Sequence, residues 1–224
     1  MVEKGKVEER QQAADAAARE LAAGFVTRDD PTGWFEPLYA AAANGQATVP
    51  WDRDAPNQLL VEWFERRAAA GSGRALVIGC GYGKDAEYVA AQGFRTTAFD
   101  ISETAIRDAA QRNPGSPVEY VVADLLDPPA AWTGAFDLVV ESITVQSMPL
   151  SVREPAIANV RRMVAPAGEL VVISGIRAEG ATVDGPPWPL TRTELESFGS
   201  DGLRAVEIEE VAEVNRWRAT FSKA

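Results

Sequence analysis

Short segments rich in valine and isoleucine alternate with helix-forming segments along most of the chain, and this alternation restricts the fold more than any other feature. Strands that are apolar on both faces are typical of a parallel sheet covered by helices on each side. The sequence therefore predicts an α/β fold with a doubly wound, Rossmann-like sheet. The predicted strands are residues 74–79, 95–100, 118–122, 136–141 and 169–174, with helices over 57–70 and near 84–92, 102–112 and 151–165.

The C-terminal end departs from this alternation. Two strands are predicted at residues 203–209 and 216–222, with only a short connection between them. A short connection allows an antiparallel pair but not a parallel one, because parallel strands need a longer crossover. The sheet is therefore expected to carry an antiparallel strand at or near one edge.

The N-terminal quarter has a different character from the rest. Residues 1–56 are expected to form a helical and aromatic lid on a core of residues 57–224, within a single domain overall. Residues 7–23 are strong helix formers, and Gly24 is expected to end that helix. Residues 27–56 are interrupted by prolines and glycines, so little regular structure is predicted there. Their aromatic side chains are expected to pack on the core or on a ligand.

Composition restricts the chemistry. The 224 residues include no histidine and one cysteine, Cys80, and 22 basic against 33 acidic residues give a net charge of −11. The absence of histidine excludes a histidine-based triad, an imidazole base and an imidazole zinc site. One cysteine excludes intrachain disulfides and thiolate metal clusters, so no metal is expected and a reducing compartment is indicated.

The acidic balance argues against nucleic-acid or anionic-membrane partners, which need a positive surface. No apolar run reaches the roughly 18 residues that indicate a membrane span. We therefore expect a cytoplasmic protein that acts on a small molecule, with a monomer favoured over a homodimer. The many arginines and alanines are typical of a bacterial protein from a GC-rich genome.

A glycine-rich turn (Gly-Cys-Gly-Tyr-Gly, residues 79–83) joins the first core strand to the next helix. Glycines allow the backbone to turn sharply and to approach a ligand closely, and the helix N-terminus adds N–H donors. Asp100 ends the second strand, 21 residues after Gly79. A carboxylate in that position can accept both hydroxyls of a ribose. Strand, turn, helix, strand and terminal acid in this order indicate a site for a nucleoside cofactor.

The spacing of the glycines narrows the choice of nucleoside. A dinucleotide fingerprint reads G-x-G-x-x-G, whereas here the third glycine comes one position early, at Gly83, and Lys84 follows it. A second acid, Asp124, follows the third strand, where it is placed to hold an adenine amine. An NAD(P)-dependent oxidoreductase on a Rossmann fold is thereby disfavoured but stays an alternative, as does a nucleoside-cofactor-binding protein without catalysis.

Together these motifs resemble the class I S-adenosylmethionine (SAM)-dependent methyltransferases, whose seven-stranded sheet has one antiparallel strand inserted by the last hairpin. Within that class the chain is similar to the thiopurine and thiol/halide methyltransferase group, in which an aromatic N-terminal segment closes over the cofactor. Val77 differs from the wider class, in which many members have an acidic residue two positions before the first glycine of the turn. A close pair of tryptophans near position 34 is missing, and Tyr39 is a candidate replacement. The residues that carry the similarity to this group include Pro50-Trp51-Asp52, Cys80-Gly81, Asp85, Asp100-Ile101-Ser102, Gln146-Ser147-Met148-Pro149 and Arg153.

The resemblance implies a cofactor site at the glycine-rich turn, with S-adenosylhomocysteine as the product left after transfer. A tryptophan face against the sulfonium would gain roughly 0.5–2 kcal/mol. The alternative role for Trp34 and Trp51 is only to attach the N-terminal segment to the core. Cys80 is expected to be a small buried turn residue and not a nucleophile, since it has no histidine partner. The implied cofactor contacts are Gly79, Cys80, Gly81 and Asp85 along the turn, Asp100 at the ribose, Ile101, Asp124 and Leu125 at the adenine, and Trp34, Trp51 and Glu141.

The implied reaction is direct, in-line transfer of a methyl group to a small-molecule nucleophile, and a thiol, a halide, a phenol and an amine are all candidates. Glu141, at the end of the fourth strand, is the first candidate for a base if one is used. Arg153 is a candidate contact for an acidic or aromatic substrate or else part of a solvated helix start. Trp188 is a candidate substrate contact or a packing anchor. The expected substrate-binding residues are Tyr39, Gln146, Arg153 and Trp188.

Overall fold

In a computed structural model of the chain, the described residues form seven strands in one sheet of order β3-β2-β1-β4-β5-β7-β6. The structure describes residues 2–67 and 71–224, and the side chains of residues 9–67 and 71–224. Strand β7 is antiparallel to both of its neighbours, and the other pairs in the sheet are parallel. The predicted fold is confirmed. The strands are β1 (Arg74–Ile78), β2 (Arg95–Asp100), β3 (Glu119–Val122), β4 (Phe136–Ser142), β5 (Val164–Gly175), β6 (Leu203–Val211) and β7 (Arg216–Lys223).

Helices cover both faces of this sheet, and two further helices, α1 and α2, form most of the N-terminal segment. Strand β5 begins at Val164, not at residue 169, because α6 has already ended and Val164 pairs with Phe136 of β4. None of the helices in the described ranges is long and apolar enough to span a membrane. The helices are α1 (Val2–Val26), α2 (Phe35–Ala43), α3 (Gln58–Glu65), α4 (Lys84–Ala91), α5 (Glu103–Arg112), α6 (Arg153–Met163) and α7 (Arg192–Glu196).

Three helix predictions need correction. Helix α1 continues through Gly24 to Val26, so the end predicted at Gly24 is wrong. Helix α2 lies in the segment for which little regular structure is predicted. The helix can form there because Pro37 is in its first turn, where the missing N–H costs no helical hydrogen bond. Helix α3 ends at Glu65, and residues 68–70, which the prediction placed in the same helix, lie outside the described residues.

The core is built in two layers on the sheet with a third cluster beneath the N-terminal helices. Helices α3 and α4 pack on one face of the sheet, and α6 and α7 pack on the other. In α1 the buried side chains are alanines at four-residue spacing, Ala14, Ala18 and Ala22, which lie on one face of the helix. Ala18 and Ala22 share a cluster with Trp34 and Leu38. The N-terminal segment is therefore packed against the carboxyl ends of the core strands.

Candidate active site

A cavity of about 1220 Å³ lies at the carboxyl ends of the central strands. Small-molecule sites commonly occupy roughly 300–1,000 Å³, so this cavity has room for a nucleoside cofactor and an acceptor together. In open α/β sheets this edge is the usual place for ligands. Residues just after β1, β2, β3 and β4 form its floor, and helix α1 with residues 32–58 forms much of its opposite wall.

Asp100 joins the glycine-rich turn to the end of β2. Its Oδ2 accepts a hydrogen bond from the backbone N–H of Gly81 at 3.0 Å, and its Oδ1 accepts one from the N–H of Ser102 at 3.0 Å. Burial raises the pKa of Asp100 to about 6, against the opposing effect of these hydrogen bonds. Asp100 lines the cavity, and a carboxylate has about four acceptor positions. The remaining positions fit the two hydroxyls of a ribose.

At the first two glycines of the turn, side chains from other segments pack where a Cβ atom would otherwise lie. Gly79 has φ +58°, and a Cβ added there would lie 2.4 Å from Oγ1 of Thr144. Gly81 has φ +51°, and its added Cβ would lie 3.0 Å from the hydroxyl of Tyr39. Both the backbone conformation and the close approach therefore require glycine. Gly79 lines the main cavity, whereas Gly81 lines only a second cavity of about 50 Å³ behind the turn.

One end of the main cavity carries the side chains expected at an adenine. Ile101, Asp124 and Leu125 all line it beside Asp100. Leu125 is buried, and Oδ1 of Asp124 accepts the N–H of Leu126 at 2.8 Å, which fixes the carboxylate. An apolar surface beside a fixed carboxylate fits a base with an exocyclic amine.

The aromatic residues of the N-terminal segment divide into a wall and a support. Trp51, Phe35 and Tyr39 line the cavity, and Nε1 of Trp51 donates to the Tyr39 hydroxyl at 2.8 Å. Trp34 is fully buried and stacks on Phe35 with ring centroids 4.1 Å apart. Trp34 is not among the lining residues that the structure describes. Trp34 therefore serves to attach the N-terminal segment to the rest of the protein, and Phe35 supplies the aromatic ring that lines the cavity.

Glu36, which the sequence did not single out, holds α2 against the core. Its carboxylate accepts hydrogen bonds from the Ser102 hydroxyl at 2.5 Å and from the Thr104 hydroxyl and N–H at 2.7 and 3.1 Å. Partial burial opposes ionisation, but these hydrogen bonds prevail and lower the pKa of Glu36. The contact places α2 next to the residues that follow Asp100. A single acid with partners 66 and 68 positions away leaves no local signal in the sequence.

Glu141 lies elsewhere than expected. Its side chain is fully buried, and it is not one of the cavity residues in the described part of the chain. Oε1 accepts the N–H groups of Thr144 and Val145 at 2.8 and 2.9 Å, and burial raises the pKa of Glu141 to about 7 against these bonds. The carboxylate thus holds the turn after β4, in which Ile143 has φ +58°. An isoleucine in this conformation is strained, and Ile143 lines the cavity.

Gln146 presents an amide donor of fixed orientation. Its Oε1 accepts the N–H of Gly175 at 2.5 Å and the Ser174 hydroxyl at 3.0 Å. A backbone N–H can only donate, so the amide oxygen must face Gly175 and the Nε2 group must face away. Gln146 lines the cavity, and within the described side chains Nε2 has no hydrogen-bond acceptor. This N–H group is available to a ligand.

Arg153 and Trp188 support the cavity without lining it. Arg153 is 3% exposed; its guanidinium pairs with Glu194 at 2.9 Å and donates to the Trp188 carbonyl at 2.5 Å. The Trp188 N–H donates in turn to the Gln146 carbonyl at 2.6 Å. The expectation of a solvated or substrate-facing Arg153 therefore does not match the structure, and Trp188 has the place of a packing anchor. From the same loop, Pro186 and Pro187 line the cavity instead.

Cys80 and Asp85 lie behind the glycine-rich turn, where both line the second cavity. Burial, with the nearby Asp100 charge, raises the pKa of the Cys80 thiol, so it is a poor nucleophile. Asp85 accepts the N–H of Asn57 at 2.7 Å, and the Asn57 amide donates to Ser142 at 3.0 Å. These contacts connect the turn, the start of α3 and the end of β4.

The seven-stranded sheet, in which β7 is antiparallel to β5 and β6, and the cavity at the carboxyl ends of its central strands are those of a class I methyltransferase fold. The sequence matches the family described as thiopurine S-methyltransferase over residues 43–222, and the chain belongs to this family of SAM-dependent methyltransferases. The alternatives of an NAD(P)-dependent oxidoreductase and of a binding protein without catalysis are thereby set aside.

Individual relatives agree with this assignment. The chain is 25% identical over 182 residues to a probable thiol methyltransferase 2 of Arabidopsis thaliana, covering 80% of this chain and 76% of the relative. It is 30% identical over 173 residues to a 2-heptyl-1-hydroxyquinolin-4(1H)-one methyltransferase of Mycobacteroides abscessus, covering 74% of each. The solved N-methyltransferase NodS of Bradyrhizobium japonicum, in complex with S-adenosylhomocysteine, superimposes with a TM-score of 0.64 at 23% identity over 84% of this chain and 98% of that one, and shows the fold alone.

Proposed function

We propose that this methyltransferase transfers the SAM methyl group directly to a small-molecule nucleophile, with a thiol or a related sulfur anion as the first candidate. The observation that carries the proposal is one continuous cavity lined by Asp100 at the nucleoside end and by Gln146 at the other. The names of relatives described as a thiol methyltransferase and a thiocyanate methyltransferase support the choice of sulfur.

The residues of this chain supply binding, orientation and exclusion of water. Asp100 would hold the ribose, Ile101 and Leu125 the adenine, and Trp51 with Phe35 the aromatic wall. SAM itself supplies an electrophilic methyl group beside a positive sulfur. Alignment of the reactants and a closed, dry site can provide much of the rate acceleration in such a displacement.

A general base is not part of the proposed mechanism. The chain has no histidine. Burial, with the Asp100 charge as a second cause, keeps the pKa values of Tyr39 and Cys80 well above their usual ranges. The Glu141 carboxylate is buried against the turn after β4 and does not line the cavity described here. We therefore propose Glu141 as a positioning residue and expect an acceptor that is already nucleophilic, such as a thiolate.

Gln146 is proposed to contact the acceptor. Its free Nε2–H can donate to a thiolate, phenolate or similar atom, and Tyr39 offers a neutral hydroxyl on the opposite wall. An aromatic hydroxyl is the second candidate acceptor, since a hydroxyquinolone methyltransferase is 30% identical to this chain over 74% of each.

A transfer screen with labelled SAM tests this proposal. Thiols, thiocyanate and halides, phenols and amines are each incubated with the protein and SAM, and both methylated product and S-adenosylhomocysteine are quantified. We expect stoichiometric formation of the two with at least one sulfur acceptor. Transfer confined to amines would contradict the choice of sulfur and require another source of proton removal.

A further inference from the structure

Arg216 brings a positive charge to the cavity wall. It begins β7, lines the cavity and is half-buried. Its guanidinium donates to the carbonyls of Val214 and Asn215 at 3.5 and 3.1 Å. Among the side chains of residues 9–67 and 71–224, no carboxylate forms a salt bridge with it.

Arg218, two residues further along β7, differs from Arg216 because it forms salt bridges with two carboxylates. Residues i and i+2 of a strand point to the same face. Arg218 pairs with Glu209 at 2.6 Å and with Glu62 at 3.0 Å, and Arg66 also pairs with Glu209 at 3.0 Å. Two carboxylates on this side of the cavity, Glu62 and Glu209, are thus committed to Arg218 and Arg66.

Arg53 is the second cation of the same wall. It follows Trp51 and Asp52 in the N-terminal segment, lines the cavity and has 40% of its side chain exposed. Its contact with Asp85 is long, at 3.7 Å, and Asp85 is already bonded to the N–H of Asn57. Arg53 and Arg216 line the same cavity, and burial, together with the charge of Arg53, lowers the pKa of Arg216.

Two like charges in one cavity repel each other and lose hydration, so the arrangement is costly unless an anion binds between them. Asp54 and Glu213 also line the cavity, but both are exposed, and neither forms a salt bridge with an arginine in the described part of the chain. In a chain with a net charge of −11, a cationic pair of this kind is a local exception. Arginine suits the task because its planar group binds carboxylates with paired hydrogen bonds.

We propose that Arg53 and Arg216 form a subsite for a carboxylate or similar oxyanion on the methyl acceptor. The inference rests on the proposed function, because it names the class of acceptor for the same cavity: a small molecule that bears a nucleophile and, apart from it, an anionic group. This subsite also acts as a filter, since a neutral acceptor of the same shape leaves Arg216 without an anionic partner and Arg53 with only its 3.7 Å contact to Asp85.

The SAM methionine moiety also ends in a carboxylate, so the position of the subsite matters. Strand β7 is four places from β2 in the sheet, and the strands are about 4.8 Å apart. Asp100 and the nucleoside end lie at β2, whereas Arg216 lies beyond β4 and β5. This places Arg216 on the acceptor side, while Arg53 reaches the same cavity from beside Asp85. The position of Arg216 favours the acceptor as the source of the anion.

Calorimetry with matched probes tests the subsite without requiring turnover. The protein loaded with S-adenosylhomocysteine is titrated with 4-mercaptobenzoate and 4-mercaptobenzamide, and with benzoate and benzamide. Charge-assisted hydrogen bonds should give each carboxylate at least about tenfold tighter binding than its amide. Arg53→Gln and Arg216→Gln should each reduce this preference, and the double variant should abolish it. Arg192→Gln, which removes an exposed cation in α7, is the control and should preserve it.

Equal binding of carboxylate and amide, absence of carboxylate binding, or a preference that survives in the double variant would overturn the subsite. A second arm compares S-adenosylhomocysteine with its decarboxylated analogue, 5′-deoxy-5′-(3-aminopropylthio)adenosine. We expect the double variant to bind both as the wild type does. Selective loss of S-adenosylhomocysteine would assign the arginines to the cofactor and overturn the acceptor subsite. Failure of the wild type to bind S-adenosylhomocysteine would instead contradict the cofactor site, and the same probes would then be titrated without it.

Discussion

The N–H of Gly81 donates to Oδ2 of Asp100 at 3.0 Å, so the turn after β1 and the end of β2 are held together by the same carboxylate that faces the cavity. This contact explains why the glycine-rich turn and the acid occur together in the sequence. Asp100 both shapes the turn and leaves acceptor positions for a ligand.

Asp100→Asn should weaken SAM and S-adenosylhomocysteine binding by about tenfold or more, because an amide replaces one carboxylate oxygen with a donor and removes the charge. Isothermal titration calorimetry measures the change. Asp29→Asn, at an exposed position with φ +61° that asparagine tolerates, is the matched control. Unchanged affinity in Asp100→Asn would remove this residue from the cofactor site.

Gly79→Ala should lower stability more than Gly134→Ala. Both glycines have similar positive φ angles, +58° and +62°, so both alanines carry the same backbone penalty. Only at Gly79 does the new Cβ meet another group, Oγ1 of Thr144 at 2.4 Å, whereas nothing lies within 4 Å at Gly134. Thermal unfolding of both variants isolates the contact. Equal losses would show that the turn has room to relax.

The stability of the Glu141→Gln variant relative to the wild type should increase as the pH rises. The folded pKa of Glu141 is about 7 and its ordinary value is 4.5, so the folded state holds the proton more tightly. That stabilisation is present below pH 4.5 and is lost as the pH rises through about 7. Glutamine mimics the protonated acid at every pH. The difference in Tm between variant and wild type should therefore grow by a few degrees in the variant's favour across this window, and a constant difference would refute the assignment.

The same variant separates the two roles considered for Glu141. A positioning residue predicts that Glu141→Gln keeps the pH profile of kcat/KM and most of its activity, since the glutamine oxygen can still accept the N–H groups of Thr144 and Val145. A general base predicts loss of turnover with cofactor affinity intact.

Gln146→Glu should raise KM for the acceptor while S-adenosylhomocysteine affinity stays within about twofold of wild type. The new carboxylate still accepts the N–H of Gly175, so the loop is preserved, but the cavity-facing donor is replaced by a negative acceptor. Steady-state kinetics and calorimetry measure the two effects. An unchanged KM would mean that Nε2 does not touch the acceptor.

Most of the fold could be predicted because its signals are local. Strands β1 to β4 lie within a residue or two of their predicted bounds, since each is a short segment of strand-forming residues between turn or helix signals. Helix α2 was missed because Pro37, which usually breaks a helix, lies in its first turn. The contacts of Glu36 with Ser102 and Thr104 at the start of α5, 66 and 68 residues away along the chain, have no local pattern.

The candidate site shows the same division. Gly79, Asp100 and Ile101 line the cavity as expected because motif order fixes their place at the strand ends. Arg153 and Glu141 were expected near ligands, yet both are buried, and the direction of a side chain after a strand or at a helix start is decided by tertiary packing. The cationic pair of Arg53 and Arg216 comes from opposite ends of the chain, so nothing in the sequence joins them.

The most direct test of methyl transfer without a base is the pH dependence of kcat/KM with two thiol acceptors of different thiol pKa. Labelled SAM reports formation of the methyl thioether. With SAM saturating, the proposed mechanism predicts product with both thiols and an inflection that moves with the pKa of the acceptor, because no group of the protein has to take up the thiol proton. An inflection shared by both thiols above the pKa of Asp100, which is about 6, or the absence of labelled thioether would contradict it.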